Sequence, residues 1–299
     1  MSPKPPVAVA VALADVEHEL SFVQAGPWRT RVLSAGHGDP LLLLHGTGGH
    51  LEAYAHNLGP LAQHFAVTAL DFAGHGYTTH ATADLEIDTY VQHVLDVLDN
   101  LGIERAHLNG ESLGGWVAMK FAATHPDRTG KLVLNTPGGT MARPEVMERI
   151  RSLSQAAADD PNPDRVRARL EWLMADPATV TDELVSIRRA IYSRPRFAES
   201  MRHILCLQDE AVRRRNLVTD ADLAAVPRGA LVVWTSDDPS GPAGAGIEMA
   251  EKIPGGQFQL IRDAGHWPQW EQAELFNRLV VNYLTTGDVP AEDVVGVAR

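Results

Sequence analysis

The sequence predicts an α/β protein: a mostly parallel, doubly wound sheet with a helical lid inserted in its second half. Three observations carry this. Short apolar runs alternate with amphipathic stretches through the middle of the chain, as strands and helices do around a parallel sheet. The pentapeptide Gly110-Glu111-Ser112-Leu113-Gly114 stands where one such strand should end and a helix begin. Between residues 139 and 226 the strand pattern gives way to helical periodicity, with many arginines and no strong strand run.

At the start, the apolar run 7–14 is short, has only Lys4 before it and leads into Asp15, Glu17 and Glu19. That suits a disordered leader over residues 1–18 better than a signal peptide. Strands are predicted at 19–23, 29–35, 41–45, 66–71, 107–110 and 131–135, then at 230–234 and 257–261. Each is rich in apolar or β-branched residues, and most are bounded by Gly, Pro or Asp. Amphipathic patterns predict helices at 90–101, 113–125 and 272–284. The core therefore comprises 19–138 and 227–299, and the lid 139–226. Within the lid, Pro144, Pro161, Pro163, Pro177 and Pro195 divide the chain into several short helices, since proline is tolerated near helix starts but not in their interiors. An all-helical lid over the carboxyl edge of the sheet would enclose a site there.

The 299 residues are 44% hydrophobic, enough to bury a sizeable core. Lys and Arg total 26 against 38 Asp and Glu, and the resulting charge of -12 argues against nucleic acid as a partner. The single cysteine, Cys206, lies among apolar residues, so neither a disulfide framework nor a thiolate metal cluster is available. No run approaches the length of a membrane span, and a cytoplasmic protein is expected.

Small residues flank Ser112 on both sides, as a tight turn that lifts a serine off the end of a strand requires. A serine hydroxyl is a poor nucleophile until a base takes its proton and a carboxylate orients that base. His266, in Asp263-Ala264-Gly265-His266-Trp267 directly after the last predicted strand, is the candidate base. Asp237 and Asp238 both follow the strand that ends at Trp234. Asp238, four residues before Pro242, is the candidate acid, which leaves Asp237 to cap or to face solvent. The chain order is serine, acid, histidine. An oxyanion would be met by the amide of Leu113 and by one from His45-Gly46-Thr47-Gly48-Gly49, for which Thr47 is the candidate. That glycine-rich loop lacks the Lys-Ser/Thr of a phosphate-binding loop and the spacing of a dinucleotide fingerprint.

With these residues in place the chain resembles the α/β-hydrolase superfamily over nearly its whole length, and within it the meta-cleavage-product hydrolases, which break carbon-carbon bonds in aromatic degradation. The sharpest match is Gly265-His266-Trp267-Pro268-Gln269-Trp270-Glu271 followed by Phe276-Asn277-Arg278-Leu279-Val280. Further matches are Asn57 before Leu58-Gly59-Pro60, Asn135-Thr136-Pro137-Gly138-Gly139, and Thr181-Asp182-Glu183-Leu184 leading to Arg188. The resemblance implies an α/β-hydrolase fold and a serine-dependent hydrolase of 2-hydroxy-6-oxo-hexa-2,4-dienoate type compounds. It further implies that Ser112, His266 and Asp238 move protons and attack, and that Arg188 holds the dienol or carboxylate end of the substrate. Trp267, Asn57 and Gly46 would border it. The mechanism needs no cofactor and no metal, the partner is a small molecule, and a homodimer is the family default.

Plainer readings stand beside these: Arg188 as a solvated arginine on a basic helix, Trp267 as core packing, Asn57 as a turn cap. The chain departs from the family pattern in its shorter oxyanion loop and in Glu111, where asparagine is frequent. A carboxylesterase or lactonase could use the same triad, but a neutral ester would give Arg188 no carboxylate to hold. A non-catalytic receptor would leave the triad without purpose, a haloalkane dehalogenase would need aspartate at position 112, and a cofactor-free dioxygenase stays open.

Overall fold

The computed structural model describes residues 9–289. Eight strands form one sheet: β1 (His18–Ala25), β2 (Trp28–Ala35), β3 (Asp39–Leu44), β4 (Phe65–Leu70), β5 (Ala106–Glu111), β6 (Thr129–Asn135), β7 (Ala230–Thr235) and β8 (Gln257–Ile261). Their order is β1-β2-β4-β3-β5-β6-β7-β8. β1 and β2 pair antiparallel, as do β2 and β4, and every pairing from β4 to β8 is parallel. All eight predicted strands are present, with ends moved by a few residues at most.

The central parallel strands are buried on both faces, as parallel strands require, whereas the antiparallel edge strand β1 is largely exposed. Leu41, Leu42, Leu43 and Leu44 are all fully buried. Leu42 and Leu44 pack with the helices Ile87–Asn100 and Leu113–Thr124, whereas Leu41 and Leu43 pack with Ala55–Ala62 and Ala273–Thr286. Successive side chains point to opposite faces, so one apolar run feeds two cores. Each such leucine contributes about 1.5–3 kcal/mol by leaving water.

The leader departs from expectation. Residues 1–8 lie outside the described residues, but Val9–Ala12 is a helical turn, and Leu13 and Val16 pack against the core. Val16 lies so close to the helix Ala55–Ala62 that a Cβ on Gly59 would meet its Cγ2 at 2.8 Å. Apolar side chains near a sequence terminus are held when such a groove exists.

Between β6 and β7 lie six α-helices: Pro144–Asp159, Pro163–Glu171, Asp182–Tyr192, Phe197–Ile204, Glu210–Asn216 and Asp220–Ala224. Pro144 and Pro163 occupy first turns, where a missing N–H leaves no bond unmade. The side chains of Asn162, Thr181, Asp209 and Thr219 cap the helices they precede.

Sheet order fixes what surrounds Ser112. β5 lies between β3 and β6, so the loops after those two strands flank it on opposite sides. The loops after β7 and β8 lie beyond β6 and carry Asp238 and His266.

Candidate active site

Ser112 links β5 to the helix Leu113–Thr124 with φ 53° and ψ -109°, a conformation that side chains rarely adopt. Its neighbours explain how. A Cβ on Gly110 would lie 2.3 Å from the carbonyl of Gly114, and one on Gly114 would lie 2.0 Å from the carbonyl oxygen of Leu44. Only glycine fits either position, and the packing of strand, turn and helix holds the strained serine at the edge of a cavity.

His266 lies on the loop after β8, beside the same cavity. Its Nδ1 donates to Asp238 Oδ1 at 2.9 Å, and the same oxygen accepts from the amide of Ser240 at 2.8 Å. The Asp238 side chain is fully buried, whereas Asp237 is exposed and accepts from its neighbour Ser236. With Nδ1 protonated toward Asp238, the lone pair of the neutral imidazole is on Nε2. That atom lies 3.4 Å from Glu111 Oε1. Burial pulls the His266 pKa down, but the charge and hydrogen bond of Asp238 and the charge of Glu111 outweigh it, leaving the imidazole more basic than usual.

Glu111 is buried at the end of β5, and a Cβ on Gly46 would lie 2.5 Å from its carboxylate. Burial raises its pKa against the opposing pull of His266, the Gly46 amide, Arg169 and Arg188. A second carboxyl group thus stands on the far nitrogen of the base.

The loop after β3 is locked by His45, whose Nε2 accepts from the amide of Phe72 at 3.0 Å while Nδ1 donates to the Gly46 carbonyl at 2.8 Å. Gly46, Thr47 and Gly49 border the cavity beside Ser112. Leu113 opens its helix, where backbone amides have no partner within the helix.

The inserted helices grip both loops. Tyr192 donates to the Gly48 carbonyl at 2.8 Å, and the amide of His266 donates to the Leu173 carbonyl at 2.5 Å. They also bring buried cations. Arg169 borders the cavity and donates through Nε to Ser154 Oγ at 2.8 Å; Arg188 is 1% exposed and lies over the rings of Trp267 and Tyr192. Arg169 Nη1 and Arg188 Nη2 are buried without a hydrogen-bond partner among the described residues. Burial pulls the Arg169 pKa down to about 10, which still leaves the guanidinium charged.

The profile of the alpha/beta hydrolase fold family matches residues 39–273. A 2-hydroxy-6-oxononadienedioate/2-hydroxy-6-oxononatrienedioate hydrolase of Comamonas testosteroni is 32% identical over 87% of this chain and 92% of its own. A 2-hydroxy-6-oxo-6-phenylhexa-2,4-dienoate hydrolase of Burkholderia cepacia shows the same identity and coverage. The chain belongs to the α/β-hydrolase family. Its likeness there is to the meta-cleavage-product hydrolases, and it is a serine hydrolase. The solved meta-cleavage product hydrolase from Pseudomonas fluorescens superposes with a TM-score of 0.78 at 28% identity, covering 90% of this chain and 98% of that one.

Against this family the sequence-predicted residues sort as follows. Ser112, His266, Thr47, Gly46 and Trp267 meet at the cavity, with Asp238 behind His266 and Leu113 behind Ser112. Arg188 is neither a surface residue nor among the cavity's lining residues: its Nε points to His50 Nε2 at 3.5 Å, and His50 in turn donates through Nδ1 to Glu52 at 2.8 Å. Burial lowers the His50 pKa and so favours the neutral ring that this relay needs.

Asn57 is a correction. It is fully buried and gives its amide to the Gln269 carbonyl at 3.1 Å and to Asn277 Oδ1 at 2.8 Å, so it braces the helix Ala55–Ala62 against the final helix and is not among the cavity's lining residues. Sequence reasoning missed Arg169. Its signal was spacing, since it lies on the buried side of its helix with Val166 and Leu170.

Proposed function

We propose that the protein uses water to split a carbon-carbon bond in a 2-hydroxy-6-oxo-hexa-2,4-dienoate, the type of compound formed when an aromatic ring is opened. The observation that carries this reading is the buried guanidinium of Arg169 in the cavity wall with Ser112 and His266, together with that of Arg188 seated against Trp267. Neither cation has a carboxylate ion-pair partner among the described residues, which calls for an anionic ligand, and a neutral ester offers none.

The chemistry needs a ketone before cleavage. The dienol loses its C2 hydroxyl proton and gains one at C5, so that C6 becomes an isolated carbonyl and the negative charge stays on the carboxylate near Arg188 and Arg169. Nε2 of His266 then takes the proton of Ser112 Oγ, which adds to C6, and the oxyanion is met by the amides of Thr47 and Leu113. Collapse breaks the C5–C6 bond. Its electron pair passes through the C3–C4 double bond to the C2 oxygen, and His266 returns its proton to the departing dienolate. Water, deprotonated by His266, adds to the acyl carbonyl, and His266 passes that proton to Ser112 Oγ as the acyl group leaves as a carboxylic acid. Asp238 keeps the imidazole in the tautomer this sequence needs.

Residues 139–226 act as the lid, excluding water and supplying both arginines. Such a catabolic enzyme works in the cytoplasm, where a lone buried thiol such as Cys206 stays reduced.

The test is a comparison of yellow ring-cleavage dienols with 4-nitrophenyl acetate. The reading predicts that kcat/KM for the best dienol exceeds that for the ester by at least about a hundredfold. Turnover of the ester alone would overturn it and leave an esterase.

A further inference from the structure

Ketonisation of the dienol takes one proton from the C2 hydroxyl and puts one on C5, and both transfers happen inside the cavity. The titratable side chains of its described wall are Glu111, His266, Arg143, Arg169 and Arg213. Arginines stay charged near neutral pH and neither give nor take a proton. Serine and threonine hydroxyls are too weakly acidic to protonate carbon. Glu111 and His266 are left. One imidazole could make both transfers only by swinging from the C2 oxygen to C5, and His266 is held at two points, by Asp238 on Nδ1 and by the Leu173 carbonyl on its amide.

Glu111 is placed for the second transfer. It ends β5 directly before Ser112 and borders the same cavity, and the serine attacks C6, the neighbour of C5. Its Oε1 lies 3.4 Å from His266 Nε2, whereas Oε2 is buried with no hydrogen-bond partner among the described residues. Gly46 leaves the room, since a Cβ there would lie 2.5 Å from Oε2 and 2.6 Å from Oε1. Burial favours the protonated acid, and the charges of His266, Arg169 and Arg188 favour the carboxylate that remains once the proton has gone. The carboxyl is therefore served in both of its states.

We infer that Glu111 is the acid that protonates C5 of the dienol, while Nε2 of His266 takes the C2 hydroxyl proton. This rests on the proposed carbon-carbon hydrolysis and adds a catalytic residue to it. As the hydroxyl proton moves to Nε2, its bonding pair forms the C2 carbonyl and the C2–C3 π pair moves to C3–C4. The C4–C5 π pair then takes the Glu111 proton at C5. Imidazolium and carboxylate face each other across the 3.4 Å contact, and the proton returns from Nε2 to Oε1. Nε2 is free again to receive the proton of Ser112, and Glu111 is ready for the next dienol.

The competing role for Glu111 is charge and packing alone, with His266 carrying both protons. The experiment measures kcat/KM of wild type and E111Q, each on its pH plateau, for a C6-phenyl dienol and for 4-nitrophenyl acetate. The ester needs Ser112, His266 and Asp238 but no ketonisation. The inference predicts that the ratio of dienol to ester falls by at least about a hundredfold in E111Q. A role in charge or packing lowers both substrates alike, and an unchanged ratio would overturn the inference. A second measurement needs no variant to fold. Wild type working in D2O should leave one deuterium at C5 of 2-hydroxypenta-2,4-dienoate in a single configuration, because a fixed acid delivers it to one face. A mixture of both configurations, read by NMR before the product exchanges, would point to bulk water as the donor and overturn the inference. No bleaching of the dienol by wild type would instead bring down the proposed function beneath it.

Discussion

At the scale of single residues, Glu111 sets the electrostatics around the candidate base. Its carboxylate faces the nitrogen of His266 that must receive the serine proton, and its charge, with that of Asp238, holds the imidazole basic against burial. Removing that charge in Glu111→Gln lowers the His266 pKa, so the acid limb of kcat/KM moves to lower pH. A pH–rate profile checks this, and an acid limb that stays in place would contradict it. Stability carries the same sign. A carboxyl whose folded pKa is raised favours the native state below its unfolded pKa, and that advantage is lost as pH rises through the folded value. Chemical denaturation across pH should show this slope in wild type and a smaller one in E111Q. That Ser112, Asp238 and His266 come to one end of the sheet was legible because strand, tight turn and chain order constrain them jointly. Asn57 was misread because the residues it braces lie 212 and 220 positions away, beyond any local pattern.

At the scale of elements, the string from Gly265 to Glu271 turns out to be mostly architecture around one catalytic group. Glu271 accepts from the amides of Gly265 at 2.7 Å and Asp176 at 3.0 Å, Trp270 donates to the Thr179 carbonyl at 3.1 Å, and Gln269 accepts from Asn135 at 2.6 Å. The string clamps the histidine loop between β6 and the inserted helices. Gly265 is the tight point, since a Cβ there would lie 2.4 Å from the Leu173 carbonyl oxygen and 2.6 Å from the Ala175 amide. Gly265→Ala should force these backbones apart, removing about 1–3 kcal/mol of stability. Thermal unfolding and kinetics check this: Tm should fall, and kcat should fall more than KM rises. A variant with wild-type Tm and kcat would refute the clamp. The strands were readable because apolar β-branched runs bounded by turn residues report their own state. The grip of the inserted helices on two loops was not, because it consists of single bonds between residues far apart in the sequence.

At the scale of the whole molecule, the charge distribution is uneven: a chain of net charge -12 lines its cavity with Arg143, Arg169 and Arg213 and seats Arg188 behind Trp267. Composition alone hid this, because the sum says nothing of where the cations go once the helices pack. The central claim is that Ser112 performs the carbon-carbon cleavage on an anionic dienol held by those arginines. Stopped-flow absorbance with one yellow dienol, on wild type and Ser112→Ala side by side, tests it most directly. The account predicts rapid bleaching by wild type with release of 2-hydroxypenta-2,4-dienoate, and a loss of turnover by about a thousandfold or more in a variant that still binds the dienol. Wild-type rates of bleaching in Ser112→Ala would contradict it.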